Sequence, residues 1–221
     1  MSQSLSTRQV DALRATITAN SQGKVPIDAI TSTPIPGLYQ VTSDGEIFYV
    51  DATGRYSVVG GSMVDMQNRQ DLTASELDRL HAIPFDRLPL HYALKEVKGN
   101  GTRKMAVFED PNCPICRVFT KFVDQLEDVT VYRFMYPVIA PESESLARTA
   151  WCSQNRTTAW SNIMNGARPQ PMGAACDTAG LAELLRFGER HRINNTPTVV
   201  LASGKRLVGA TPAELFMQEL E

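Results

Sequence analysis

The chain has 221 residues, 22 Lys+Arg against 24 Asp+Glu, a formal net charge of -2, and 43% of its residues are hydrophobic. This is the composition of a globular protein with one large or two small domains, each able to bury a core without metal or disulfide support. Near-neutral charge gives no overall basic field for nucleic acid or anionic lipid, and apolar runs such as Phe134–Ala140 fall short of the ~20 residues a membrane helix needs.

Met1–Leu5 carries neither a basic n-region nor an apolar h-region, so the expectation is a cytosolic protein or one whose export signal has been removed. Residues 5–19 place Val10, Leu13 and Ile17 near helical spacing and read as a short amphipathic helix. After Pro26, Pro34, Pro36 and Gly37 come three β-like runs, Leu38–Thr42, Glu46–Val50 and Tyr56–Val59, with turns at Asp44-Gly45 and Asp51–Gly54. This helix plus meander forms a small α+β unit, residues 1–66, whose thin core calls for a partner. Thr73 and Glu76 fit a capping box opening a helix to about His81, and Pro84 and Pro89 then interrupt the chain. Residues 67–90 read as a helical linker, a semi-rigid spacer.

Residues 91–221 change pattern. Strands are predicted at Arg103–Phe108 and Val129–Met135 and helices at Cys113–Leu126, Ser143–Gln154, Thr157–Gly166 and Ala179–His191. Strands Thr198–Ala202 and Arg206–Val208 follow, joined around Ser203-Gly204-Lys205, and Thr211, Pro212 and Glu214 read as the cap, first residue and capping-box acid of a last helix. Strand, helix, strand, helices, two strands, helix is the thioredoxin order with a helical insertion.

Four cysteines are too few for a disulfide scaffold, but one tight pair, Cys113-Pro114-Ile115-Cys116, and one distant pair, Cys152 and Cys176, suggest two uses. Cys113 opens a helix, where free backbone N–H groups and the helix dipole favour thiolate over thiol; it is predicted to be the exposed, attacking nucleophile. Cys116, one turn on, is placed to resolve a mixed disulfide. Pro114 removes one N–H donor, and the apolar Ile115 faces a substrate. Asn195-Thr196-Pro197-Thr198 precedes the strand Val199-Val200-Leu201; in a thioredoxin fold this proline is expected to be cis, leaving the Thr196 backbone free to pair with an extended substrate. A CxxC also suits half a structural zinc site, whose other half would need a second close pair, whereas Cys152 and Cys176 have 23 residues between them; a non-redox structural CxxC is a further alternative. No metal or other cofactor is implied. Glu109 and Asp110 read as solvated turn residues, with modulation of the dithiol as the alternative. Trp151 and Trp160 read as core, as do Met63 and Met66, with a Met-lined apolar cleft as the alternative.

Three motifs carry a resemblance: Phe108–Cys116; Ala150-Trp151-Cys152-Ser153 with Ala175-Cys176-Asp177; and Asn195–Leu201. In that order, and with the N-terminal helix-plus-meander, the chain resembles the bacterial periplasmic disulfide isomerases of the DsbC/DsbG type. The resemblance implies a periplasmic, V-shaped homodimer joined through cystatin-like N-terminal domains, with edge strands pairing at Arg55–Gly61. It implies Cys113 as nucleophile, Cys116 as resolving cysteine, Thr196 and Pro197 as substrate contacts, and Cys152–Cys176 as a structural disulfide. Substrates would be unfolded or misoxidised proteins and the electron donor a DsbD-type membrane thiol reductant. Family members carry Gly-Tyr or, in the DsbG branch, Pro-Tyr between the active cysteines, where this chain has Pro114-Ile115. Isomerase or reductase action on exported proteins is the leading expectation; DsbG-like reduction of sulfenylated cysteines with holdase activity, or thiol oxidation, are the alternatives.

Overall fold

The computed structural model describes residues 5–170 and 176–221. The chain divides into two compact units, Met1–His81 and Ala82–Glu221.

In the first unit, α1 (Thr7–Asn20) begins at Ser6, whose hydroxyl accepts the Gln9 N–H in a capping box. A four-stranded antiparallel sheet follows in the order β1 (Ala29–Ser32), β2 (Leu38–Ser43), β3 (Glu46–Asp51), β4 (Ser57–Val59). Asp44 and Gly45 both take positive φ, as a tight β2–β3 hairpin requires. Leu13 and Ile17 of α1 pack on Ile30, Val41 and Val50, so the core is a single thin layer. β4 is an edge strand with all three residues exposed. Next come the two-residue strands β5 (Val64–Asp65) and β6 (Gln70–Asp71), then α2 (Leu72–His81). Met66 is 83% exposed and so is not core. The predicted Thr73/Glu76 capping box does not form. Asp71 Oδ1 accepts the Ala74 N–H instead, because the buried Thr73 hydroxyl is taken by Tyr49 and by the Met63 N–H. Glu76 turns outward to Arg79.

The second unit is built on a five-stranded sheet, β7 (Leu94–Lys98), β8 (Arg103–Glu109), β9 (Val129–Met135), β10 (Thr198–Leu201) and β11 (Arg206–Val208), in the spatial order β11-β10-β8-β9-β7. Only β8 and β9 are parallel, and α3 (Pro114–Asp124) connects them. Along β8 successive side chains serve opposite faces. Ala106 and Phe108 join a core with α4 (Pro141–Trp151), α5 (Arg156–Met164) and α6 (Ala179–Arg190), while Met105 and Val107 join one with α3 and α7 (Ala213–Leu220). The last helix starts after Pro212 with no side-chain cap, so Thr211 and Glu214 do not form the predicted box. Gly188 of α6 has a structural reason: a Cβ there would lie 2.0 Å from the Tyr136 hydroxyl, which donates instead to Ile193 O at 3.0 Å.

Candidate active site

The apolar run of β8 is buried to its end, and the chain then turns through Asp110-Pro111-Asn112. Cys113 is the N-cap of α3 and Pro114 its first residue, a position where proline's missing N–H costs nothing. The Cys113 N–H donates to Asp110 O at 3.1 Å. Its sulfur accepts the Cys116 N–H at 3.2 Å and lies 3.3 Å from Thr196 O. Arg117 ties the turn from the other side, donating through Nε and Nη2 to Pro111 O at 3.0 and 2.7 Å.

Both cysteines are free thiols. Cys113 is only 3% exposed, so the expectation of an exposed sulfur is corrected: the Thr196 segment closes over it, and Ile115, 44% exposed, forms the accessible tip with Pro114. Cys116 is fully buried. Its thiol is pushed far above the ordinary value, chiefly by burial and then by the Cys113 sulfur, against the opposing pull of the Asp110 backbone and the Thr196 side chain. The Thr196–Pro197 peptide bond is cis. The Thr196 hydroxyl is buried and makes no hydrogen bond of ordinary length, and it lies close enough to Cys116 to resist that rise.

Two acids read from the sequence as solvated are completely buried. Asp110 is held by four donors: Asn112 N–H (2.7 Å) and Ser143 Oγ (2.7 Å) on Oδ1, Val138 N–H (2.7 Å) and Ile139 N–H (2.9 Å) on Oδ2. It therefore locks the dithiol turn to the chain leaving β9 and to α4. Glu109 points beneath α3, accepting Trp160 Nε1 at 2.6 Å and Arg133 Nη1 at 3.1 Å. Arg133 also reaches Glu96 and Asp124, each at 3.1 Å. Burial raises the Glu109 pKa above its ordinary 4.5, with Arg133 and then Trp160 pulling the other way. A cavity of about 30 Å³ lies among these groups, room for one water. The partners that keep Glu109 inside sit 24 and 51 residues away in sequence, beyond the reach of any local motif.

Away from the dithiol, Cys152 at the end of α4 and Cys176 are joined, S–S 2.07 Å and Cα–Cα 5.8 Å, which removes both from metal ligation. Ala175, part of the motif around Cys176, lies outside the described residues. Trp151, beside this bond, donates to Asp177 O at 2.9 Å.

Residues 90–221 match the family model of a thioredoxin-like domain, and residues 4–74 match that of the disulfide bond isomerase protein N-terminal domain. These define a thiol-disulfide oxidoreductase with an isomerase-type N-terminal domain. A probable thiol:disulfide interchange protein DsbC of Bordetella parapertussis is 35% identical over 93% of this chain and 72% of its own length. The Escherichia coli K12 thiol:disulfide interchange protein DsbC is 23% identical over 87% of this chain and 80% of its own. Among solved structures, a disulfide interchange protein from Neisseria gonorrhoeae aligns with a TM-score of 0.54 at 35% identity, covering 61% of this chain and 99% of that one. The chain belongs to the DsbC family of thiol:disulfide interchange proteins.

Proposed function

We propose that the protein is a disulfide isomerase and reductase for misoxidised exported proteins, with Cys113 as the attacking sulfur. The observation that carries this reading is the asymmetry of the pair. Cys113, itself only 3% exposed, caps α3 next to the exposed Pro114-Ile115 tip, while Cys116 lies one turn further in, fully buried, where burial pushes its thiol far above the ordinary value. Cys113 as thiolate attacks a substrate disulfide; one S–S bond forms, one breaks, and the second substrate sulfur leaves as thiolate. Isomerisation follows when a substrate thiol attacks the mixed disulfide and restores Cys113. Reduction follows when Cys116 gives up its proton and attacks Cys113, leaving the Cys113–Cys116 disulfide and a reduced substrate. This second route needs Cys116 to lose its proton while fully buried, which burial opposes.

Thr196 and Pro197 line the approach to Cys113, and among the described residues the Thr196 N–H donates to no backbone acceptor. That leaves it available to an extended substrate strand. Pro114 and Ile115 supply exposed apolar contact at the tip. Cys152–Cys176 serves as a permanent bond, which an oxidising compartment such as the periplasm permits. Among the described residues no helix is long and apolar enough to cross a membrane. The exposed β4 edge, with Val58 and Val59 at 56 and 76% exposure and the preceding Tyr56 at 64%, supports pairing of two copies through residues 1–66, with 67–90 as linker to the catalytic domain at 91–221. A DsbD-type reductant would keep the pair reduced.

The reduced protein should restore activity to scrambled, multi-disulfide ribonuclease, and Cys113→Ala should abolish this. Strong oxidation of a reduced substrate with no rescue of the scrambled enzyme would overturn the reading in favour of a thiol oxidase.

A further inference from the structure

A cleft of about 390 Å³ opens between the chain leaving β9 and the segment entering β10, lined by Val138, Ile139, Ile193, Asn194, Asn195 and Thr196. It falls within the ~300–1,000 Å³ typical of ligand pockets. We propose that this cleft is a substrate subsite that takes an apolar side chain beside the substrate cysteine bonded to Cys113. The proposal deepens the thiol-exchange reading and rests on it.

Thr196 belongs to both places: its carbonyl oxygen is 3.3 Å from the Cys113 sulfur and the residue also lines the cleft. A chain attached to Cys113 and paired with the Thr196 backbone therefore places its neighbouring residue at the cleft. Side chains alternate faces along an extended strand, so residues on one side of that strand enter it.

Val138 and Ile139 keep 45 and 52% exposure although they leave the end of a buried strand. Both of their N–H groups are bound by Oδ2 of the fully buried Asp110, at 2.7 and 2.9 Å. The same carboxylate holds the turn before Cys113 through Asn112, so the apolar wall and the reacting sulfur share one anchor. Across the cleft, Ile193 O is held by the Tyr136 hydroxyl at 3.0 Å.

Chemistry fixes the occupant. One wall is two branched aliphatic side chains and the other carries the exposed Asn194 and Asn195. Branched aliphatics suit an apolar side chain, and the amides suit the polar backbone that accompanies it. An unfolded polypeptide offers both together, and its apolar residues are those a folded protein hides.

The test uses two cysteine peptides, identical except for Leu or Ser next to the cysteine, each as a mixed disulfide with thionitrobenzoate. Attack by Cys113 bonds it to the peptide sulfur and expels coloured thionitrobenzoate, the better leaving group. The full-length reduced protein should release it roughly tenfold faster from the Leu peptide, the low end of what an apolar pocket discriminates. In Val138→Ser/Ile139→Ser that ratio should fall close to one. Both rates come from the same protein, so any general change in dithiol reactivity cancels. If the double variant does not fold, Ile139→Ala read in the same way should at least halve the ratio. Equal rates in the wild-type protein, or an undiminished ratio in the variants, would overturn the subsite. Release from neither peptide by the wild-type protein would instead overturn the thiol-exchange reading beneath it.

Discussion

Replacing Arg133 by Met leaves Glu109 buried with no cation. Arg133 is 3% exposed and Glu109 is fully buried, so this pair falls where removing one partner costs about 3–5 kcal/mol. The side chains of Glu96 and Asp124 are 23 and 46% exposed, and solvent screens their share of the loss. Glu109 can also escape by taking up a proton, since burial already raises its pKa. The lower end of the range, about 3 kcal/mol, is therefore the expected loss, and at ~2–4 °C per kcal/mol it lowers Tm by roughly 10 °C. Thermal unfolding followed by circular dichroism at pH 7 reads this directly. Glu109→Met/Arg133→Met should recover at least half of the loss, because removing both charges leaves none buried alone. A single variant melting within 2 °C of wild type, or a double variant no better than the single, would refute an energetically coupled pair.

Glu109→Gln should alter the pH dependence of stability. A raised folded-state pKa contributes stability that is complete below the unfolded value of 4.5 and is lost as pH rises through the folded value; the variant should therefore show a shallower fall in Tm from pH 4.5 upward, and an unchanged slope would contradict the assignment. Limiting iodoacetamide near neutral pH should alkylate Cys113 before Cys116, whose thiol holds its proton and is buried; peptide mapping by mass spectrometry decides, and preferential labelling of Cys116 would reverse the roles. Cys152→Ser/Cys176→Ser opens a bond spanning 24 positions and should cost roughly 3 kcal/mol on the chain-entropy estimate while insulin reduction persists; lost turnover in a folded variant would make the pair catalytic. Val58→Lys/Val59→Lys places like charges on the exposed β4 edge and should shift the full-length protein from dimer to monomer in sedimentation velocity, whereas an intact dimer would locate the seam elsewhere.

The elements most legible in the sequence are those whose signals are local. Val129–Met135 and Arg206–Val208 fall where apolar runs and turn residues place them, and Cys113 at the start of α3 follows from a buried strand running into a Pro-containing turn. β1 escapes because only Ile30 of its four residues is buried and prolines flank it. β7 escapes because Lys95, Glu96 and Lys98 give an edge strand the look of a surface loop. The Thr73 cap fails since a hydroxyl that can cap a helix can equally be claimed by a distant Tyr49. At the site, the CxxC and Thr196-Pro197 are motifs of residue type. The burial of Glu109 and Asp110 depends on Arg133, Trp160 and Ser143 arriving from other elements, which spacing along the chain does not encode.

In the proposed mechanism Cys113 alone makes the covalent bond to substrate, and Cys116 releases it. The reduced Cys116→Ser protein, mixed with an unfolded protein carrying a single disulfide and then acid-quenched, should accumulate a one-to-one mixed disulfide that mass mapping locates on Cys113. Cys113→Ser treated identically should trap nothing. An adduct on Cys116, or none from either variant while the wild-type protein turns the substrate over, would contradict it.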